Sequence, residues 1–131
     1  MNDQLLCVFT EEEVRQGLDA IGDLKAPGAD GMSSLFYKKH WSIVGADVVG
    51  EVLNFLNNGS MPAKWNEMVV VLIPKVQNPE RLKDLRPISL CNVIYKIASK
   101  VLSNRLKLIL AEIISQNQSL SQAGSFQIMS R

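Results

Sequence analysis

Apolar residues recur along this chain with two different periods, and the change of period divides it. Val14, Leu18 and Ile21 share one helical face, with Thr10 before them in an N-cap position and Glu13 three residues on. Phe9 and Val14 hold hydrophobic-staple positions, so the pattern predicts a first helix from about residue 11, stopped by Gly22. Glu11, Glu12 and Glu13 lie where the helix dipole favours negative charge; that suffices to explain the cluster, and no metal site is expected there. The turn-rich stretch Lys25-Ala26-Pro27-Gly28-Ala29-Asp30-Gly31 comes next. Ser33 or Ser34 then caps a short aromatic helix carrying Leu35, Phe36, Tyr37 and Trp41. A third helix is predicted over 46–58, with Val48, Val49, Val52, Leu53 and Leu56 apolar and Gly59 as its stop.

Beyond Trp65 the helical period disappears. Met68 to Ile73 is a short, continuous, β-branched run, which predicts a buried strand ended by Pro74. Residues 75–87 form a charged connection with a turn signal at Asn78-Pro79, and Ile88-Ser89-Leu90 predicts a second short strand. From about Asn92 to Ile114 no Gly or Pro interrupts a helical pattern. Lys96, Lys100, Ser103 and Lys107 line one side of that helix, while Ile94, Ala98, Val101, Leu102 and Ile109 take the other. Arg105 falls within the apolar face, where a guanidinium needs a partner or a stem that snorkels out. From Ser115 no clear period remains, and a loosely ordered tail is expected. The fold class these elements define is α+β, predominantly helical, with a short β-strand or hairpin.

Composition adds bounds. With 131 residues, 14.5 kDa, 47% apolar and 21% charged residues, the chain can build one core, and collagen-like, disordered and disulfide-dense classes are excluded. The net charge of +1 conceals an asymmetry. Residues 1–65 carry five Lys/Arg against nine Asp/Glu, a net of −4, and residues 66–131 carry nine against four, a net of +5. Cys7 and Cys91 form no Cys-x-x-Cys pair, and with His40 as the single histidine there is no zinc ligand set. Reduced thiols, no signal-like N-terminus and no apolar span long enough for a bilayer predict an intracellular protein with no membrane partner, nucleus and cytoplasm both open.

Hydrolytic chemistry has little to stand on: there is no Gly-x-Ser-x-Gly elbow, no Ser-x-x-Lys and no phosphate loop ending in Gly-Lys-Ser/Thr. Two-metal nucleotidyl transfer needs converging carboxylates, and Glu67, Glu80, Asp84 and Glu112 show no paired arrangement. No catalytic and no metal-binding residue is therefore predicted. Cations are better placed. From Lys75 to Lys107 eight of them (Lys75, Arg81, Lys83, Arg86, Lys96, Lys100, Arg105, Lys107) face two acids, Glu80 and Asp84, a net of +6 that attracts phosphates. Arg86 beside the rigid Pro87 suits bidentate phosphate contact, whereas Tyr95 alone supplies too little aromatic surface for base stacking. An ordinary solvated helix face accounts for Lys96, Lys100 and Lys107 equally well.

In this order the motifs are informative together. Leu24-Lys25-Ala26-Pro27-Gly28-Ala29-Asp30-Gly31 resembles the Lys-x-Pro-Gly-Pro-Asp-Gly loop of non-LTR (LINE-type) retrotransposon reverse transcriptases, and the version here looks most like plant elements. Met61-Pro62, Trp65-Asn66, Val71-Leu72-Ile73-Pro74-Lys75, Asp84-Leu85-Arg86-Pro87-Ile88-Ser89-Leu90, Tyr95-Lys96 and Asn104-Arg105-Leu106 continue the resemblance over roughly residues 8–119. It implies the N-terminal extension and truncated fingers portion of a right-hand polymerase, an RNA-directed DNA polymerase whose partners are RNA template and DNA/RNA hybrid and whose intact form uses Mg²⁺. By resemblance, Lys75 and Arg86 handle nucleotide or template phosphates, Lys96 and Lys100 extend that surface, and Lys25, Gly28, Asp30 and Gly31 form a template-side loop. Arg105 is then expected as an internal clamp paired with a loop acid such as Asp30.

Two departures matter. Ala29 replaces the family's usual Pro, and after Gln118-Ser119 the family's Ala-Phe-x-x-Gly-Arg motif gives way to Leu120-Ser121-Gln122-Ala123-Gly124-Ser125-Phe126. Residues 1–119 thus read as a partial reverse transcriptase domain and 120–131 as a divergent tail, without the palm aspartates that polymerase chemistry and its Mg²⁺ require. A fragment with no cofactor of its own, inactive alone but able to bind RNA, is the first expectation. The alternatives are a small helical protein-interaction module that uses exposed apolar surface, or a relic without function.

Overall fold

A computed structural model describes residues 2–114. The elements run α1 (Asn2–Leu6), α2 (Glu11–Asp19), α3 (Ser34–Lys39), α4 (Trp41–Asn58), β1 (Val69–Pro74), β2 (Leu85–Leu90) and α5 (Val93–Ile113), with 3-10 turns at Ala63–Asn66 and Leu82–Asp84. This is the helical α+β class with a two-stranded antiparallel hairpin. The expected tail from Ser115 and the boundary at 119/120 lie outside the described residues. The chain divides into two compact units, one of residues 8–101 and one of residues 1–7 with 102 onward.

In the larger unit the capping box of α2 forms as its sequence dictates. The Glu13 amide donates to Thr10 Oγ1 (3.4 Å), and the Thr10 amide donates to Glu13 Oε2 (2.9 Å). The helix ends at Asp19, three residues before the predicted Gly22 stop. The Ala20 amide is satisfied by Gln16 and Leu18 carbonyls, and Ile21 N–H donates to Leu18 O in a tightened last turn. Of the two candidate caps, Ser33 is the one used by α3, accepting from the Phe36 amide (3.2 Å), while Ser34 is buried and donates to Gly22 O (2.8 Å).

α4 starts at Trp41, five residues before its predicted beginning. Gly45, just before the expected start, is the seat of the Trp41 ring: a Cβ there would lie 2.8 Å from the indole. Gly59 closes α4 in the left-handed conformation at φ +74°.

The core is formed by Val14 and Leu18 of α2, Tyr37 of α3, Val48 and Val52 of α4, Trp65, and Val93, Ile97, Ala98 and Val101 of α5. Gly17 permits α2 and α5 to touch, since a Cβ on it would sit 3.0 Å from Val101 Cγ2 and 3.2 Å from the Ile97 carbonyl oxygen. Trp65 stacks edge-on against Phe55 at 5.2 Å between ring centres.

The hairpin corrects one expectation. β1 was predicted as a buried strand, and it is exposed along its whole length: Val70 is 61% and Leu72 51% accessible. A continuous apolar run encodes a strand covered on both faces. Among the described residues no layer covers this one. Its register pairs Val69 with Leu90, Val71 with Ile88, Leu72 with Pro87 and Ile73 with Arg86. Lys75 N–H donates to Asp84 O (2.8 Å), which fixes the alternation of bonded and non-bonded pairs. Pro74 and Pro87 then fall at non-bonded positions, so each missing N–H faces the free edge of its strand. Both edges are thereby blunted against addition of a further strand.

The smaller unit contains α1, which the sequence reading did not foresee, and the second half of α5, with Ile109 buried within it.

Candidate nucleic-acid interface

Two groups of predicted site residues belong to the larger unit. The first is the loop 25–31 on the start of α5. The Asp30 amide donates to Asn92 Oδ1 (3.2 Å), and Lys96 Nζ, one turn further along, donates to the Ala26 carbonyl (2.7 Å). Gly28 lies so close that a Cβ would come within 2.4 Å of both Asn92 N and Asn92 Oδ1. Only a residue without a side chain fits that approach. Inside the loop, Gly31 N–H closes a turn on Gly28 O (3.1 Å), Met32 N–H donates to Asp30 Oδ1 (3.0 Å), and Gly31 takes φ +72°. Gly28, Asp30 and Gly31 are thus conformational parts of the loop, and Lys25 is its exposed cation.

Below the loop, Lys38 Nζ contacts both Ile21 O and Asp23 Oδ1 at 2.6 Å, an ion pair that fixes the preceding turn. Burial of the Tyr37 phenol, with Asp30 and Glu51 adding to it, pushes its pKa above the ordinary tyrosine value.

The second group is the far end of the hairpin. Lys75, Arg81, Lys83 and Arg86 are all exposed there. Asp84, one of the two acids among them in sequence, accepts from the Glu80 (3.3 Å) and Arg81 (3.1 Å) amides. Its charge is therefore engaged by main-chain N–H groups, and among the described residues the four cations make no salt bridge. Lys75 Nζ donates to the Lys83 carbonyl (3.2 Å), which holds it over the turn. Strand alternation puts Arg86 on the same face as Lys75, two residue pairs away.

α5 carries the remaining cations. Lys96 and Lys100 are half-buried and Lys107 is exposed. Lys96 differs from the others because its ammonium already holds the Ala26 carbonyl. In the smaller unit Arg105 Nη1 donates to the carbonyls of Cys7 (2.6 Å) and Leu5 (3.4 Å), where α1 ends and its dipole favours a cation. Within the loop of the larger unit, the Asp30 carboxylate accepts from Met32 N–H.

Asn92 is the residue that sequence reasoning passed over. An Asn just before a helical run reads as an ordinary N-cap, and nothing in the sequence shows that its Oδ1 serves a loop sixty-two positions earlier. Among the described residues no group of three or more His, Cys, Asp or Glu converges. No described helix is long and apolar enough to cross a membrane.

The structure therefore defines a helical α+β chain that presents a pinned loop and a cationic hairpin. It is similar to the transposon TX1 uncharacterized 149 kDa protein of Xenopus laevis, with 33% identity over 122 residues. The match covers 93% of this chain and 9% of that protein, so the chain spans about a tenth of the relative's length. It supports a retrotransposon origin. No family model matches the chain.

Proposed function

We propose that this chain is the N-terminal extension and fingers part of a non-LTR retrotransposon reverse transcriptase, of the plant-like type, and that it binds the phosphate backbone of RNA. The observation that carries the reading is the hairpin end, where Lys75, Arg81, Lys83 and Arg86 stand exposed and Asp84 is turned onto main-chain amides. Such a cluster attracts an extended polyanion and releases its counterions. Lys25 of the loop and the half-buried Lys100 of α5 are further cations of this reading. The transposon-encoded relative supports a transposon origin, and the order of the sequence motifs suggests the polymerase context.

The residues in hand supply contacts to RNA and no chemistry. Purified chain is expected to bind single-stranded RNA with an affinity that falls steeply as salt rises, and not to extend a primer on an RNA template with Mg²⁺. Salt-insensitive binding would remove the phosphate reading, and primer extension would overturn the assignment of the chain as inactive by itself. The exposed apolar faces of the hairpin favour a second reading, a protein-interaction module. Association with a protein that persists at high salt, without RNA binding, decides for that one.

A further inference from the structure

The loop 25–31 has a short main-chain path, two glycines and no regular secondary structure, yet it is held in one conformation by α5. Of the two α5 side chains that hold it, Lys96 reaches one carbonyl through a long flexible stem. Asn92 has a short side chain with few rotamers, and its main chain abuts Gly28 at van der Waals limits. The Asn92 carbonyl meanwhile accepts from the Lys96 amide (3.2 Å), the first hydrogen bond of the helix. One residue thus starts α5 with its main chain and fixes the loop with its side chain.

We infer that Asn92 is a positioning residue. Its Oδ1 sets the Asp30 amide, and through it the Gly28–Gly31 turn, so that Lys25 and the loop main chain are presented to RNA in one arrangement. This rests on the reading that the loop faces RNA; the geometric half of the inference does not. Asn92 contributes no charge to this contact. Its removal acts only by freeing the loop, which then has to be ordered anew when RNA binds.

The test is residue-resolved amide hydrogen exchange on the full chain, wild type against Asn92→Ala and Asn92→Asp, with affinity for poly(U) RNA measured across a salt series. In Asn92→Ala the acceptor is gone. Exchange at the Asp30 amide is expected to rise roughly tenfold, the factor an ordinary hydrogen bond is worth, while the buried Ile97 amide keeps its protection. RNA affinity is expected to fall roughly threefold to tenfold with an unchanged salt slope, since no cation is lost.

Asn92→Asp keeps an oxygen in the same place and is expected to keep Asp30 protected, which a general weakening of the fold would not do. Unchanged Asp30 exchange in Asn92→Ala, or lost protection in Asn92→Asp, overturns the positioning role. If Asn92→Ala fails to fold, the Asn92→Asp result alone decides it. A freed Asp30 amide with undiminished RNA affinity overturns the link to RNA. A wild-type chain that ignores poly(U) defeats the RNA reading itself and leaves the exchange result to judge Asn92.

Discussion

The pinned loop and the hairpin both carry cations from the same sequence motifs, and the fold treats them in opposite ways. Around the loop, polar groups find intramolecular partners: Asp30 N–H on Asn92, Lys96 on Ala26, Lys38 on Ile21 and Asp23. At the hairpin one of the two acids close to the cations in sequence, Asp84, is bonded to main chain, and Arg86 and Lys83 face solvent. The loop lies next to a core that includes Val93 and Ile97, both at most 1% exposed. The hairpin leaves Val69, Val70, Val71, Leu72 and Ile73 each more than a third exposed. A lysine is thus a structural staple or an available charge according to the carbonyls within its reach, and its position on a helical wheel does not say which.

The contrast is broken most strongly by core truncation. Leu18 is fully buried between α2 and its neighbours, and Leu18→Ala is expected to lose about 2–5 kcal/mol from methyl removal and the cavity left behind. Leu72 is half exposed, and Leu72→Thr in the hairpin is expected to cost about 0.5 kcal/mol or less. Urea unfolding of both variants checks this. Equal losses would mean that the hairpin faces are covered in solution, and the apparent difference between the two regions would disappear.

A finer break lies in Gly28. Gly28→Ala puts a methyl within 2.4 Å of the Asn92 amide nitrogen and side-chain oxygen and 2.5 Å from the Cys91 carbonyl carbon. Backbone atoms cannot swing aside as a side-chain end does, so loop and helix start must separate. The expected cost is about 1–3 kcal/mol, read from the unfolding midpoint, with Asp30 amide protection lost at the same time. Gly31→Ala is a different case: open space surrounds it, and only its φ of +72° resists a side chain. A loss at Gly28 no larger than at Gly31 would show that the loop floats free of α5.

Much of this division was legible in the residues, and the exceptions share a cause. Thr10, Glu13 and Ser33 act within three positions of themselves, so local chemistry determined their roles. The α2 and α4 cores followed from 3.6-residue periodicity because each helix buries one stripe; on α5 Ala98, Val101 and Ile109 followed as well, but the buried face is rotated toward Val93 and Ile97, and the expected Leu102 is 40% exposed. What stayed hidden depends on distant contact. Gly45 extends α4 backward by seating the Trp41 ring, Asn92 serves the loop, and Arg105 closes the end of α1. The β1 run misled for a related reason, since apolar composition reports a strand's tendency to be covered and not what covers it.

The smallest expected effect is also the one that separates the two groups of lysines and arginines. Arg86→Gln removes an exposed charge with no ion-pair partner among the described residues, so stability is expected to hold within about 0.5 kcal/mol. Its mark should appear in the salt dependence of RNA binding, with a slope shallower by about 1 for the lost phosphate contact. Lys96→Gln removes the ammonium that donates to Ala26 and leaves an amide donor one bond shorter in reach. It is expected to lower loop protection and alter the salt slope less than Arg86→Gln does. Slopes that fall equally in the two variants would make Lys96 a phosphate ligand despite its carbonyl, and the distinction between staple and available charge would then have to be withdrawn.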